Sequence, residues 1–392
     1  MSKSVIVTGI DVGTHTTRVV VCDISESEKT PRIVATGESP SYGIRHGYII
    51  NKHDATKSVR NAIKAAEQEA GIRIRDAFLS LGGVGLNSTT VSATIQLPEN
   101  APEVTEYEIN RAMEQCERTF INHTKNIKII ESIPLRYALD NKVVLGKPIG
   151  MEGSSLGVQT LFVTYLENHL EDLLTTVGDA GIRVTDVVPA PLAAAFTLLT
   201  PKQKMVGSAL MDIGAETVSL AVFDQGTLLS LKVFQIGSTH ITNDIALGFQ
   251  IPLEEAERAK HGTLDRNSRI LIKVKLDEII QARLSDIFEL VDKYLESLEK
   301  SKVLPAGIVI TGGGAQLAGL TDYAKELLEL PIRIIAENDA SSKQRKLRDS
   351  SWYVAYGLCT YAHESSHHSK GGGSPLSSLW KRIGNFFEQL FP

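Results

Sequence analysis

"GIDVGTHTTRV", residues 9–19, and "MDIGAETVSLAV", residues 211–222, carry one pattern. Each reads apolar, Asp, apolar, Gly, a short polar cluster, then a strand-like run. A tight turn after a strand exposes backbone N–H groups, and glycine lets a phosphate come close. An Asp at the end of the first strand can hold Mg²⁺, usually through water. One such loop reads most simply as a hairpin turn. Two in matched strand contexts point to duplicated domains clamping one polyphosphate. A third glycine turn, Thr311 to Gly314, follows the apolar run "GIVI" and offers bare backbone to a flat base or ribose. It lacks the Lys-Ser/Thr ending of a Walker A loop.

Outward from these loops, strands are expected before and after Gly13 and at 32–37. A helix over 54–70 has Asp54 as N-cap, Val59, Ile63, Ala66 and Ala70 on one face, and Gly71 as its stop. Residues 82–164 read as a compact α/β insertion: "LNSTTVSATIQL", a helix with Thr105 and Glu108 as a capping box, then "NIKIIESIPLRYALD" and "LGVQTLFVTY". A strand enters a helix across "IRVTDVVPAPLAAAFTLL". Helices dominate 252–300, and "SSWYVAYGLCTYA" closes the folded part.

The 392 residues suffice for two or more domains, and 42% hydrophobic against 22% charged residues predicts a packed core. A net charge of −5, from 41 basic and 46 acidic residues, argues against nucleic acid as partner. Cys22, Cys116 and Cys359 form no CxxC pair and read as reduced thiols. No secretory h-region and no apolar run of the ~20 residues needed to span a bilayer is present.

The three loops in this order resemble the actin, heat-shock chaperone and sugar kinase superfamily. "GSTHITNDIALGF" (237–249), "EEAERAKHG" (254–262), "EIIQARLSDIFELVDKYL" (278–295), "TGGGAQLAGL" (311–320), and "PLRYALD" followed by "GKPIGMEG" in the insertion narrow the resemblance to the bacterial cell-division family FtsA. It covers essentially the whole chain. It implies an actin-like α/β fold, with two related domains around a nucleotide cleft. The first domain would be 1–81, completed by 165–200 and 350–362. The insertion would be 82–164. The second domain would be 201–349, with a smaller lobe at 227–303. A flexible linker (363–374) and an amphipathic helix (375–392) would follow.

The resemblance assigns Asp11 to the metal and Gly13, Thr14 and His15 to the first phosphate loop. Asp212, Gly214, Ala215, Glu216 and Thr217 would form the second, and Gly312, Gly313 and Gly314 would lie by the adenosine. Glu257 and Lys260 would approach ribose or adenine; an ordinary i,i+3 surface ion pair is the alternative. ATP and Mg²⁺ are the implied cofactors. Glu216 departs from the family, placing a carboxylate where it points away, acts through Mg²⁺ or weakens binding. "AERAKHG" is shorter than the family spacing. Several polymerising relatives carry a Glu just before the Pro of a "PLAAA"-like helix start, where it orients the attacking water. Ala190 stands there instead, so slow or negligible hydrolysis is expected.

In the last segment, Leu376, Leu379, Trp380, Ile383, Phe386, Phe387, Leu390 and Phe391 fall within an arc of roughly 140° on a helix. Lys381 and Arg382 lie on the polar side. This pattern suits an interfacial helix on anionic lipid, and the Gly/Ser-containing linker argues against docking on the protein's own core. By resemblance the chain is a membrane-bound adaptor on the cytoplasmic face of the cell membrane at the division site. It would polymerise with itself, tether the tubulin-like FtsZ, with the smaller lobe as the docking site, and link it to other division proteins. A pilus-assembly ATPase-like adaptor and a sugar kinase share the scaffold, but neither has a use for the amphipathic tail.

Overall fold

The computed structural model describes residues 5–24, 30–100, 103–122, 124–262, 270–335, 347 and 349–368. In chain order the first domain opens with β1 (Val5–Val12), β2 (Thr16–Ile24), β3 (Arg32–Pro40), the short pair β4 (Ile44–Arg45) and β5 (Tyr48–Ile49), α1 (Lys52–Ala70) and β6 (Asp76–Leu81). The insertion follows as β7 (Asn87–Gln96), α2 (Glu106–Ile121), β8 (Ile127–Leu139), β9 (Lys142–Val144) and β10 (Ser155–Leu166). The chain returns through α3 (Glu167–Asp179), β11 (Arg183–Pro189), α4 (Ala190–Leu198) and α5 (Pro201–Val206). The second domain comprises β12 (Ser208–Ile213), β13 (Val218–Asp224), β14 (Thr227–Phe234), α6 (Ser238–Phe249), α7 (Leu253–Lys260), α8 (Ile270–Ser297), β15 (Ile308–Thr311), α9 (Leu320–Leu328) and β16 (Ile332–Ile334). Helix α10 (Tyr353–His368) packs back on the first domain.

The repeat read from two loops extends to whole sheets. The first sheet runs β11-β6-β1-β2-β3; the second begins β16-β15-β12-β13-β14. In both, an antiparallel meander is joined by two parallel strands on the same side. Strand alternation sets the cores. Ala209, Met211, Ile213, Leu220 and Val222 face the helices of the second domain, while Leu210, Ala221 and Phe223 join the first domain's core.

The insertion prolongs the second sheet, not the first. Beyond β14 the order continues β7-β10-β8-β9. One register pair, Lys232 with Asn87, joins β14 to β7. Ser88 reinforces it: Oγ accepts from Leu231 N at 2.8 Å and donates to Leu231 O at 2.9 Å.

Several boundaries differ from expectation. Helix α1 starts earlier, capped by Asn51, whose side chain accepts from Asp54 N; Asp54 is a first-turn acid. Gly71 ends it at φ 68° as expected. The Thr105–Glu108 capping box forms. Strand β14 belongs to the main sheet, and the helices of the smaller lobe expected over about 227–303 start at Ser238. The linker expected from 363 is helical through His368, because α10 still has a packed face at Tyr361, Ala362 and His363. Residues 369–392, with the amphipathic segment Leu376–Phe391, lie outside the described residues. All three cysteines are buried and free.

Candidate functional site: an interdomain nucleotide cleft

The two glycine turns face each other across a cleft of about 320 Å³. They are built alike. A Cβ on Gly13 would stand 2.8 Å from Thr16 O, and one on Gly214 3.0 Å from Thr217 O, so each turn folds tightly on its own glycine. The second turn is closed by Gly214 N to Thr217 O at 2.9 Å. The first amides of α6 hold it: Ser238 N donates to Gly214 O and Thr239 N to Ala215 O. The third turn is locked from the first domain's side. Thr311 Oγ1 donates to Ser350 O at 2.9 Å, and Ser350 Oγ to Gly312 O at 2.8 Å. Gly312 has φ 91°, and a Cβ there would lie 2.1 Å from Asp212 Oδ1, so only glycine fits.

Asp11 and Asp212 sit on the cleft floor, where solvent reaches them only through the opening. Burial raises the Asp11 carboxyl above its ordinary value; the Ser80 hydroxyl, donating to Oδ1 at 2.5 Å, and Arg18 partly offset this. Asp212 is pushed up to about 7, first by burial and then by the Asp11 charge, with Arg18 opposing. Arg18 is paired in register with Asp11, and its guanidinium lies 5.5 Å from the Trp352 ring centroid. Two carboxylates held together against their own repulsion form a site that a cation would stabilise. Among the described residues no group of three or more His, Cys, Asp or Glu side chains could hold a metal alone. The floor therefore fits a hard cation that takes most of its oxygens from phosphate and water.

On the opposite wall, Lys260 is no ordinary surface lysine. Its side chain is 4% exposed, and Nζ donates to Glu257 Oε2 at 2.8 Å and Thr242 Oγ1 at 2.9 Å. Burial raises the Glu257 carboxyl, but Lys260, Thr242 and His261 outweigh it and leave the group below its ordinary value. Both side chains line the cleft.

These observations can be set beside known proteins. The family model "Cell division protein FtsA" matches residues 209–357, and "SHS2 domain inserted in FTSA" matches 83–164. Cell division protein FtsA of Bacillus subtilis (strain 168) is 29% identical over 381 residues, covering 92% of this chain and 84% of that protein. The Escherichia coli (strain K12) protein of the same name is 25% identical, with 98% and 96% covered. The chain belongs to the FtsA family of cell division proteins. Among solved structures, a PilM-PilN type IV pilus biogenesis complex matches with TM-score 0.66 and 18% identity, covering 91% of this chain and 98% of that one. MreB5 of Spiroplasma citri bound to ADP matches with TM-score 0.53 and 15% identity, covering 93% and 99%. These likenesses show the actin-like fold.

The FtsA-type cleft gathers nearly every residue singled out in the sequence. Asp11, Gly13, Thr14, His15, Asp212, Gly214, Ala215, Thr217, Glu257, Lys260, Gly312, Gly313 and Gly314 all line it, as does Ala190. Glu216 does not. It is held outside the lining, accepting from His46 N at 2.6 Å and lying 3.4 Å from His46 Nδ1. The sequence reading missed Arg18, Gly47, Gly82 and Gly83 on the cleft wall. Arg18 has a visible signal, a lone cation just past the loop hydroxyls. Gly47 has none, because its role depends on packing against Gly83, where a Cβ would come within 2.3 Å of Gly83 Cα.

Proposed function

We propose that this FtsA-family chain binds ATP with Mg²⁺ between its two domains, polymerises on the inner membrane surface and tethers FtsZ filaments there. The carrying observation is the pair of matched glycine turns facing one another over Asp11 and Asp212. Backbone N–H groups of both turns and the hydroxyls of Thr14 and Thr217, which line the cleft, would take the phosphates. Asp11, with Asp212 beside it, would hold the cation through water, and the cation would neutralise phosphate charge. Lys260 and Glu257 would take ribose or base hydroxyls, and Gly312–Gly314 would leave room for the adenosine.

The site is poorly equipped for hydrolysis. Ala190, the first residue of α4, faces the cleft where a water-orienting carboxylate would be needed. Nucleotide then acts mainly as a bridge that sets the domain angle for polymerisation. Membrane attachment is assigned to residues 375–392 and FtsZ docking to the α6–α8 lobe. No helix among the described residues is long and apolar enough to cross a membrane, which agrees with peripheral attachment.

The test is electron microscopy on anionic lipid monolayers with and without Mg·ATP. Filaments only with both support the reading; no filaments under any condition favour a monomeric binding protein.

A further inference from the structure

The end of the first domain remote from the cleft is built where β1, β3, β6 and β11 begin and β2 ends. It is unusually apolar and basic for a surface. Val5, Ile6 and Ile72 are 46%, 45% and 40% exposed. Beside Ile72, the exposed Arg73, Arg75 and Arg183 line one shallow hollow with Asp76. Asp76 is committed to Arg183, Oδ1 to Nε at 2.5 Å, leaving Arg73 and Arg75 without a carboxylate partner among the described residues. At the opposite edge of the sheet, Asp23 pairs with Arg32 at 3.1 Å. Among the described residues, unpaired positive charge is thus concentrated on the β6–β11 half of the face, in a chain whose net charge is −5.

Helix α10 delivers the C-terminus to this end. It starts at the cleft, next to Trp352, and Tyr356 OH reaches Pro31 O at 3.0 Å, just before β3. Tyr361 OH then donates to Asp186 Oδ2 at 2.8 Å, and its ring packs edge-on to Phe78, on β11 and β6. The helix continues from Tyr361 to His368, about 10 Å further at ~1.5 Å per residue. The last described residue, His368, thus lies toward the end of the domain remote from the cleft.

We propose that this face, centred on Ile72, Arg73 and Arg75 with Val5 and Ile6 beside them, lies directly against an anionic lipid bilayer. The inference rests on the reading of residues 375–392 as membrane-binding. Guanidinium groups match lipid phosphates, and small exposed aliphatic groups fit the shallow interface. A stable protein interface takes about 20–30 residues a side, and the patch offers only Val5, Ile6, Ile72, Arg73, Arg75 and Arg183. It is large enough to add to an anchor that already holds the body at the surface, because the second contact is then effectively intramolecular. The tail carries only Lys381 and Arg382 against Glu388, so its own electrostatic pull is weak. Stable anchoring usually needs two signals, and the body supplies the charged one.

The experiment is co-sedimentation of the full chain with vesicles of phosphatidylcholine alone or with 30–40% phosphatidylglycerol (a range of roughly natural anionic content), at low and high salt. R73E/R75E is compared with wild type, R73K/R75K and a chain ending at Gly373. Both arginines are exposed, so melting temperature and ATP affinity should stay unchanged. Expected is a drop of about tenfold or more in affinity for anionic vesicles with R73E/R75E. The salt dependence should weaken, and R73K/R75K should behave as wild type. Equal binding and equal salt dependence of R73E/R75E and wild type overturn the proposal while leaving the tail reading intact. If the chain ending at Gly373 pellets as well as the full chain, the tail reading fails instead. The end face is then upheld only if R73E/R75E in that shortened chain still lowers binding.

Discussion

The backbone N–H of His46 donates to Glu216 Oε2 at 2.6 Å, and this bond crosses from the first domain to the second. The next residue, Gly47, donates its N–H to Thr14 Oγ1 at 3.2 Å. One short turn thus holds both glycine loops. Hydrogen bonds to a charged group contribute about 1.5–3 kcal/mol. Glu216→Ala should therefore speed nucleotide release about tenfold, while Glu216→Gln, which keeps an accepting oxygen, should stay near wild type. Stopped-flow displacement of a fluorescent ATP analogue measures both; equal rates in all three proteins would remove the turn from the nucleotide site.

Lys260 offers a second handle. Its ammonium is enclosed by Glu257, Thr242 and Ser238 O. Lys260→Ala should weaken ATP binding by tenfold or more and lower stability by about 2–3 kcal/mol, since Glu257 loses its counter-charge in a half-buried wall. Calorimetric titration and a denaturant melt separate the effects. Unchanged affinity with reduced stability would make the pair purely structural.

Asp212 predicts a pH dependence. Its folded value, about 7, stands above the ordinary 3.8, so the folded protein keeps a proton that the unfolded chain releases. The associated stability is complete below the ordinary value and lost as pH rises through about 7. Without Mg²⁺ or nucleotide, Asp212→Asn should stabilise the protein at pH 8 by roughly 1–2 kcal/mol after allowing for cleft water, and by about half as much at pH 5.5, which lies between the ordinary and the folded value. Thermal melts at the two pH values test this. In wild type, Mg·ATP affinity should fall as pH drops below 7, because the protonated carboxyl no longer helps to attract a cation.

Ala190 carries a prediction about turnover. Wild-type hydrolysis should be slow, and Ala190→Glu should raise single-turnover hydrolysis about tenfold by supplying an oxygen to align water. Phosphate release under single-turnover conditions reads it directly. An unchanged rate would place the limit elsewhere than the missing carboxylate.

Much of this was legible in the chain. The Asp-x-Gly turns revealed the duplication because their chemistry is local: a strand end, a glycine and a hydroxyl cluster. The same locality made the α2 capping box readable. The His46–Glu216 bond was not, because its partners are 170 positions apart and one donor is a backbone group with no sequence signature. The insertion's allegiance to the second sheet was hidden for the same reason, since Ser88 acts by bonding the Leu231 backbone. The helix end at His368 was masked by composition: "HESSHH" reads as solvated linker, yet its first residue is buried against the domain.

The insertion is spliced covalently into the first half of the molecule but hydrogen-bonded along an edge of the second. Tyr165 OH clamps the point of entry by donating to Gly82 O at 2.9 Å, and Gly83 is packed against Gly47. Hinged on one body and zipped to the other, it works as a lever. Any change in the angle between the two sheets would be carried through β7, β10 and β8 to β9, the far margin of the sheet.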